Sequence, residues 1–306
     1  MLEFICGGTY SKREEVFLEM VKTAAQSNKN VICIIPDQYS FEFDRTLYKA
    51  VGVKLFNRIR TIGFNRLSEI LATKYGGSVQ SCDDHIKTIL MFRAIKALSG
   101  SGNVKFYRKN LDKPAFIGEC LELVQSLRES GITPEMLKAS AESHGGVLEA
   151  KLSDLSEIYR NFMEELDKNE MTDSLSSLAR ACEQADKNEF FKDTCVFISS
   201  FTSFTHDELR MCDIALSQCD DMTVSLVIDE DCVSRYHTHP FHDTIVTKQK
   251  LTDLAKAHGI KVHTENCADA DGISGELMHL SKNLYSYSDK AYPEYKKLED
   301  KLKKDK

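Results

Sequence analysis

The residues best suited to chemistry begin at residue 6, in the pattern C-G-G-T-Y-S-K-R that directly follows a short apolar run. Glycines after a strand and a lysine at the start of a helix are typical of phosphate-binding loops with the pattern G-x-x-x-x-G-K-[ST]. Gly7 and Gly8 follow the strand and Lys12 stands at the lysine position, but Ser11 replaces the second glycine and Arg13 replaces the hydroxyl residue that holds magnesium. We interpret Gly7, Gly8 and Lys12 as vestigial nucleotide-binding residues. The alternative is that the glycines only end a strand and that Lys12 lies on the solvent-exposed face of the following helix.

A site that hydrolyses nucleotides also needs an acidic residue at the end of a second strand, where it orients magnesium and water. The best candidate strand, CVFISSF, ends with Ser199, Ser200 and Phe201 and offers no carboxylate. Another apolar run ends at Asp229, so an active ATPase that uses Lys12 and Asp229 is the alternative hypothesis. Because the loop and the acidic strand end are both defective, the sequence predicts that this chain does not hydrolyse ATP.

Four side chains of metal-ligand type cluster late in the chain in the pattern C-x4-H-x-H-x2-H, formed by Cys232, His237, His239 and His242. Cysteine and histidine are the usual ligands of zinc, but this spacing differs from that of a zinc finger. We therefore favour a chance cluster in a loop over a metal site. The sequence predicts no metal-binding residues.

The elements that must position these residues alternate between strand and helix at both ends of the chain. Apolar runs predict strands at residues 2–6, 31–36, 195–201 and 222–229, and we also expect short strands at residues 58–61 and 260–264. Helical periods cover residues 11–26, 41–50 and 64–75. Consecutive helical periods without a strand fill residues 82–189. The pattern predicts an α/β fold with a parallel sheet, residues 1–78 and 190–306, and an inserted all-α subdomain, residues 79–189. Two sequential domains are the alternative.

Composition and charge limit the classes of function. The 306-residue chain carries a formal net charge of −7, whereas proteins that bind duplex DNA mainly through its phosphates are usually basic. Any contact with nucleic acid must therefore lie in a local groove or depend on a partner. The ten cysteines include no C-x-x-C pair, which predicts buried free thiols in a reducing compartment. No signal-peptide pattern or membrane-spanning run is present, so we predict a cytoplasmic protein that does not contact a membrane.

Four segments resemble a known family. PDQYSF, residues 36–41, and GFNRLSEIL, residues 63–71, resemble motifs near the start of AddB, the second subunit of the AddAB helicase–nuclease. FTSFTHDEL, residues 201–209, and ELMHLSKNLYSY, residues 276–287, are similar to two later AddB segments and occur in the family's order. The resemblance implies a P-loop, RecA-like fold of the superfamily 1 helicases whose motor function has been lost, with the helical insertion between its halves.

The resemblance also implies which residues contact DNA. In the family, four positions of the first two motifs contact bases of the regulatory Chi sequence, and here they are Gln38, Ser40, Phe64 and Arg66. Glutamine suits base edges, phenylalanine suits stacking and arginine suits phosphate or guanine. A further stacking surface is expected from the third motif, at Phe201 or Phe204.

The chain departs from the family's pattern at several of these positions. Ser40 stands where threonine is usual, Glu69 stands where an aromatic residue can stand, and the chain has no tryptophan. Many relatives also keep an intact phosphate loop, which is eroded here. Because Phe64, Leu67 and Leu71 recur at helical spacing, a role in the hydrophobic core is the alternative for Phe64. Packing at a strand end is the alternative for the two later phenylalanines.

The resemblance implies a heterodimer with an AddA-type helicase–nuclease subunit, in which this chain guides single-stranded DNA. The family's nuclease domain and its iron–sulfur cluster lie far downstream, so we expect no cofactor in this chain, and the eroded loop argues against ATP and magnesium. The chain is then either a piece of a longer subunit or a shortened relative. A structural scaffold that binds only the partner subunit is the remaining hypothesis.

Overall fold

The computed structural model describes residues 1–27, 29–76, 80–99, 102, 104–228 and 240–284. The first part of the chain alternates strands and helices, in the order β1 (Leu2–Gly7), α1 (Arg13–Gln26), β2 (Asn30–Ile34), a 3-10 turn (Asp37–Tyr39), α2 (Ser40–Phe56) and β3 (Ile59–Ile62). These elements confirm the strands and helices predicted for this part. Helix α2 continues beyond its predicted end, and Gly52, with a φ of +73°, interrupts it there.

The middle of the chain is mainly helical. Its elements are α3 (Phe64–Tyr75), β4 (Gln80–Ser81), α4 (Asp84–Ser99), α5 (Pro114–Glu129), α6 (Pro134–His144), α7 (Gly146–Lys168), β5 (Met171–Thr172) and α8 (Ser174–Lys187). The prediction that no strand interrupts these helices is wrong, because β4 and β5 pair in parallel as a two-stranded sheet. Each of these strands has only two residues, which is too short to produce a hydrophobic period in the sequence.

The last described part returns to alternating strands and helices. Its elements are β6 (Thr194–Ile198), α9 (His206–Gln218), β7 (Asp221–Val227), α10 (His242–Ala257), β8 (Val262–Asn266) and α11 (Gly275–Asn283). The three strands confirm the predicted ones. Every residue of β6 is buried, as expected for a central strand, whereas β8 contains no buried residue and lies at the edge of its sheet.

Six of the strands form one parallel sheet in the order β3–β2–β6–β7–β1–β8, which confirms the predicted α/β class. Because parallel strands end at the same edge of a sheet, the loops after β1, β2 and β6 share one edge. β1 and its neighbour β7 connect onward in opposite directions, β1 to β2 and β7 to β8. The end of β1 is therefore a topological switch point, the place where α/β sheets bind ligands.

The chain divides into two compact units. The first contains Met1–Gly63, Glu189–Phe204 and the described residues from Cys212 onward, and the second contains Phe64–Asn188 and Thr205–Met211. The predicted boundary after residue 78 puts α3 in the α/β part, whereas the observed division falls before α3. The reason is that α3 packs against α8, inside the second unit.

Each unit has its own hydrophobic core. In the first, α1 packs on the sheet, and the rings of Phe17 and Phe197 meet edge to face with centroids 5.7 Å apart. In the second, α4, α5 and α7 enclose a core that includes Met91 and Phe162. The nine cysteines of the described ranges are free, and burial raises the pKa of Cys120 to about 12. Within those ranges, no helix combines the length and the apolar character that crossing a membrane requires.

Candidate nucleotide and nucleic-acid sites

The loop after β1 is closed by its own hydrogen bonds. The Ser11 N–H donates to the Gly8 carbonyl at 3.2 Å, and the Ser11 hydroxyl donates to the same oxygen at 2.8 Å. The Lys12 N–H donates to the Ala268 carbonyl at 2.9 Å. A phosphate-binding loop works by presenting such backbone N–H groups to phosphate oxygens. Here the N–H groups of Ser11 and Lys12 are already used within the protein.

The segment that follows β8, residues 267–271, lies against this loop, and we call it the covering segment. Ser11 and Asp269 form an isolated antiparallel bridge, and the Ala270 N–H donates to the Tyr10 carbonyl at 2.7 Å. Together with the hydrogen bond from the Lys12 N–H, these contacts join the backbone of the loop to the backbone of the covering segment. A phosphate could bind the Lys12 amide only after this pairing had broken.

Gly7 and Lys12 have structural roles that require no nucleotide. A Cβ atom at Gly7 would lie 2.3 Å from the Ser11 Oγ, so the closed loop itself requires glycine there. The Lys12 Nζ lies 2.6 Å from the Asp271 Oδ2, and this hydrogen bond raises the pKa of the Lys12 ammonium. The lysine that a phosphate loop directs at a phosphate is thus paired with a carboxylate of the covering segment.

Arg13 occupies the position at which a working loop has its magnesium-binding hydroxyl. Its Nη1 donates to the Ser225 Oγ of β7 at 2.5 Å, and burial lowers the pKa of the guanidinium. Its Nε is buried without a hydrogen-bond partner among the described residues. A buried positive charge at this point repels a magnesium ion. The sequence pattern revealed the lost hydroxyl but not that the arginine points into the unit.

The strand end that would carry the second half of a hydrolysis site has no carboxylate. Ser199 is buried, and Ser200 has a φ of +69°, so the chain turns sharply after β6. The rings of Phe201 and Phe204 then form a half-buried pair with centroids 5.1 Å apart. Asp229, on which the alternative ATPase hypothesis depends, lies outside the described residues.

Gln38 and Ser40 follow β2, which is the neighbour of β6 in the sheet, so they share an edge with the phenylalanine pair. Gln38 is exposed, and the Ser40 hydroxyl donates to the Asp37 carbonyl at 2.8 Å. A Cβ atom at Gly63 would lie 2.1 Å from the Asp37 Oδ1. The aspartate of PDQYSF therefore packs against the glycine of GFNRL, which explains why the second motif begins with glycine.

Helix α3, in the second unit, carries two of the predicted DNA-binding residues, and their environments differ. Arg66 is exposed, with 65% of its side chain accessible, and pairs with Glu69 at 2.6 Å. Phe64 is only 5% exposed and lies on the buried face of the helix with Leu67 and Leu71. Phe64 therefore departs from its predicted stacking role, because its ring has no free face in this conformation. Its spacing from the two leucines supports the core alternative.

A polar groove of about 630 Å³ lies between α3 and α8, within the second unit. Its floor includes Ser68 and Ala181, whose small buried side chains leave open space above the contact between the helices. Polar side chains line its walls, among them Asn65, Glu69, Arg180 and Gln184. Sequence reasoning missed this groove, since periodicity marks the buried face of each helix but not which two helices face each other. The available signal was the recurrence of serine and alanine on both helices.

Asp173, which lines the groove, belongs to a buried ion pair with Arg128. The Arg128 guanidinium donates to both carboxylate oxygens of Asp173, and the two side chains are 7% and 1% exposed. Asp173 also accepts the Ser176 N–H at 2.9 Å and so caps the start of α8. Burial opposes the ionisation of Asp173, but the hydrogen bonds from Arg128 and Ser176 outweigh it and lower the pKa of the carboxyl. The pair anchors the helix that forms one wall of the groove.

The metal hypothesis receives no support from the part of the chain that is described. Within those residues, no group of three or more histidine, cysteine, aspartate or glutamate side chains is suited to hold a metal ion. Cys232, His237 and His239 of the predicted chance cluster lie outside the described residues, and His242 is the first residue of α10.

Comparison with known proteins identifies several relatives that all carry one name. A protein named as the B subunit of an ATP-dependent helicase/deoxyribonuclease, from Clostridioides difficile (strain 630), is 27% identical over 95% of this chain and 26% of its own length. Proteins with that name from Clostridium kluyveri (strain NBRC 12016) and Clostridium acetobutylicum (strain ATCC 824) are each 26% identical, over 95% and 98% of the chain. The chain spans about a quarter of the length of these curated relatives.

The family described as ADDB, N-terminal, matches residues 4–281. That range includes the closed loop after β1, the two motifs joined by Asp37 and Gly63, and helix α3 with its exposed arginine. It also runs through both compact units and into α11. The chain therefore belongs to the AddB N-terminal family.

Proposed function

We propose that this chain is the non-motor, helicase-like part of a DNA double-strand-break repair subunit, and that it guides single-stranded DNA without hydrolysing ATP. The named relatives are subunits of ATP-dependent helicase–deoxyribonucleases, which supports a role in DNA repair. The hydrogen bonds that close the phosphate loop support the absence of motor activity, and this is the observation that carries the proposal. ATP and magnesium are then not cofactors of this chain.

We extend the proposal to the fold of the first unit. We assign the first unit to the P-loop, RecA-like cores of superfamily 1 helicases, with the second unit as a helical subdomain inserted in its sequence. The strand order supports this assignment, because β1 lies between β7 and β8 and its loop stands at the switch point of the sheet. In this assignment, the loop after β1 still stands where a nucleotide would bind, but its residues no longer suit phosphate and magnesium.

We assign the DNA contacts to surfaces of the two units, each taken separately. In the first unit, Gln38, Ser40, Phe201 and Phe204 follow neighbouring strands and combine polar groups with aromatic rings, as sites for single strands do. In the second unit, Arg66 offers an exposed guanidinium to a phosphate. Reading of the Chi sequence by these side chains is the most specific part of the proposal.

The proposal includes a partner. A net charge of −7 leaves little general attraction for DNA, so we expect an AddA-type helicase–nuclease subunit to supply the motor and much of the positive charge. The free thiols of the described cysteines fit a reducing compartment, and we place the complex in the cytoplasm. We expect no iron–sulfur cluster in this chain.

Replacing Arg66 with alanine tests the DNA surface of α3. Fluorescence anisotropy with a labelled single strand should show weak binding by the parent, falling as salt increases. The Arg66→Ala variant should bind about tenfold more weakly at low salt, the effect of one charge-assisted hydrogen bond, and its salt slope should be smaller by about 0.7. Absence of binding by the parent, both alone and with an AddA-type partner, would refute the proposal.

Arg160→Ala is the matched control for this experiment. Arg160 also lies in the second unit and also pairs with a glutamate three residues away, Glu157, at 2.7 Å. Its replacement removes the same charge from a helix that carries none of the proposed contacts. The control should bind the strand as the parent does.

A further inference from the structure

We propose that the groove between α3 and α8 holds one unpaired nucleobase of the DNA strand that this chain guides. The inference rests on the proposed function and adds to it a site for a base. The groove lies next to Arg66, because Asn65 and Glu69 on the same helix line its wall. A strand whose phosphate contacts Arg66 would have its neighbouring base within reach of the groove.

The groove is large enough to admit this ligand. A volume of about 630 Å³ falls within the range of roughly 300–1,000 Å³ that small-molecule sites occupy. The small buried side chains of Ser68 and Ala181 create the space, so the groove is a consequence of how the two helices pack. A planar base can enter the open space above the contact between the two helices.

The charge of the groove favours a neutral ligand over a phosphate. Glu69 and Asp173 line it, and each is ion-paired with an arginine that is not part of the lining. Arg180 and Glu183 carry opposite charges and lie three residues apart on α8, so their charges offset each other. No surplus of positive charge results, and a phosphate placed here would stand near three carboxylates. A nucleobase is uncharged, so these carboxylates would not repel it.

The remaining polar groups are those that bind the edges of bases. Arg180 and Gln184 lie four residues apart and therefore on the same face of α8, and Asn65 lies on α3. Arginine, glutamine and asparagine are the side chains that most often form paired hydrogen bonds with purine edges. Three such side chains around one groove supply donors and acceptors from both walls.

The test compares two labelled single strands of equal length in fluorescence anisotropy, one with normal bases and one with abasic sites throughout. The parent should bind the normal strand more tightly than the abasic one. Arg180→Ala and Gln184→Ala should each weaken binding of the normal strand about fivefold, the effect of a lost hydrogen bond of about 1 kcal/mol, and should leave the abasic strand unchanged. Arg160→Ala should leave both affinities unchanged.

The other outcomes overturn the inference. Equal weakening for both strands would mean that the groove holds the DNA backbone, and no weakening for either would mean that it holds no part of the strand. If Arg180→Ala unfolds, Gln184→Ala decides, since its side chain carries no charge. A parent that binds neither strand refutes the proposed function as well, whereas a parent that binds both while the variants match it refutes only the base site.

Discussion

Replacing Asp173 with alanine is expected to lower the free energy of unfolding by about 3–5 kcal/mol, the effect of leaving a buried charge without its partner. Arg128 and Asp173 are 7% and 1% exposed, so the guanidinium would lose its charged partner in a place largely shielded from water. The variant also loses the N-cap of α8, because Asp173 accepts the Ser176 N–H. Urea unfolding followed by far-UV circular dichroism measures the change.

Two further variants test whether the loss of stability comes from the unpaired buried charge. Asp167→Ala removes an exposed aspartate from the same unit and should change the stability by less than about 0.5 kcal/mol. Replacing Arg128 and Asp173 together with apolar residues should restore much of the lost stability, because no unpaired charge then remains. An Asp173→Ala variant as stable as the parent would contradict the structure of this pair.

The same carboxyl predicts how stability depends on pH. The folded-state pKa of Asp173 lies below its usual value of 3.8, so the ion pair stabilises the folded protein fully above about pH 4. Stability should fall as the pH drops from about 4 through the lowered pKa, because in that range the unfolded chain binds a proton that the folded chain resists. In Asp173→Asn this part of the acid dependence should be absent. Urea titrations at neutral and acidic pH measure it.

Replacing Phe64 with alanine is expected to cost about 3–5 kcal/mol of stability, as the truncation of a buried phenylalanine does. The ring is 5% exposed and lies on the face of α3 that Leu67 and Leu71 share. Any loss of DNA binding by this variant should therefore follow its loss of folded protein. Thermal unfolding followed by circular dichroism, run beside the binding assay, distinguishes the two.

Phe41→Ala is the matched control, because the same side chain is 79% exposed there. Its truncation should change the stability by less than about 0.5 kcal/mol. If Phe64→Ala keeps the parent's stability but binds single-stranded DNA more weakly, the ring is a contact residue and its placement in the core is wrong.

The long elements of this fold were predictable from the sequence, because their hydrophobic periods are strong. Helix α3 has the predicted bounds of residues 64 and 75, and the strands β1, β2, β6 and β7 coincide with apolar runs. The pair β4 and β5 was not predictable, since its formation depends on backbone bonds between residues far apart in the chain. The boundary between the units depends equally on a distant contact, that of α3 with α8.

Only those features of the candidate site that depend on residue type were predictable from the sequence. The defects at Ser11 and Arg13 show in the pattern, and so does the missing carboxylate after β6. The covering segment does not, because its backbone groups contact the loop without any characteristic residue type. The burial of Phe64 was available from its helical spacing, but the resemblance of its motif favoured a role on the surface.

Release of phosphate from magnesium-ATP by the 306-residue chain, in the presence of single-stranded DNA, tests the account most directly. We expect no release above the background without protein, and the same result for Lys12→Ala, because the amides of Ser11 and Lys12 already donate to the carbonyls of Gly8 and Ala268. Turnover by the parent that disappears in Lys12→Ala would show a working nucleotide site and contradict the closed loop.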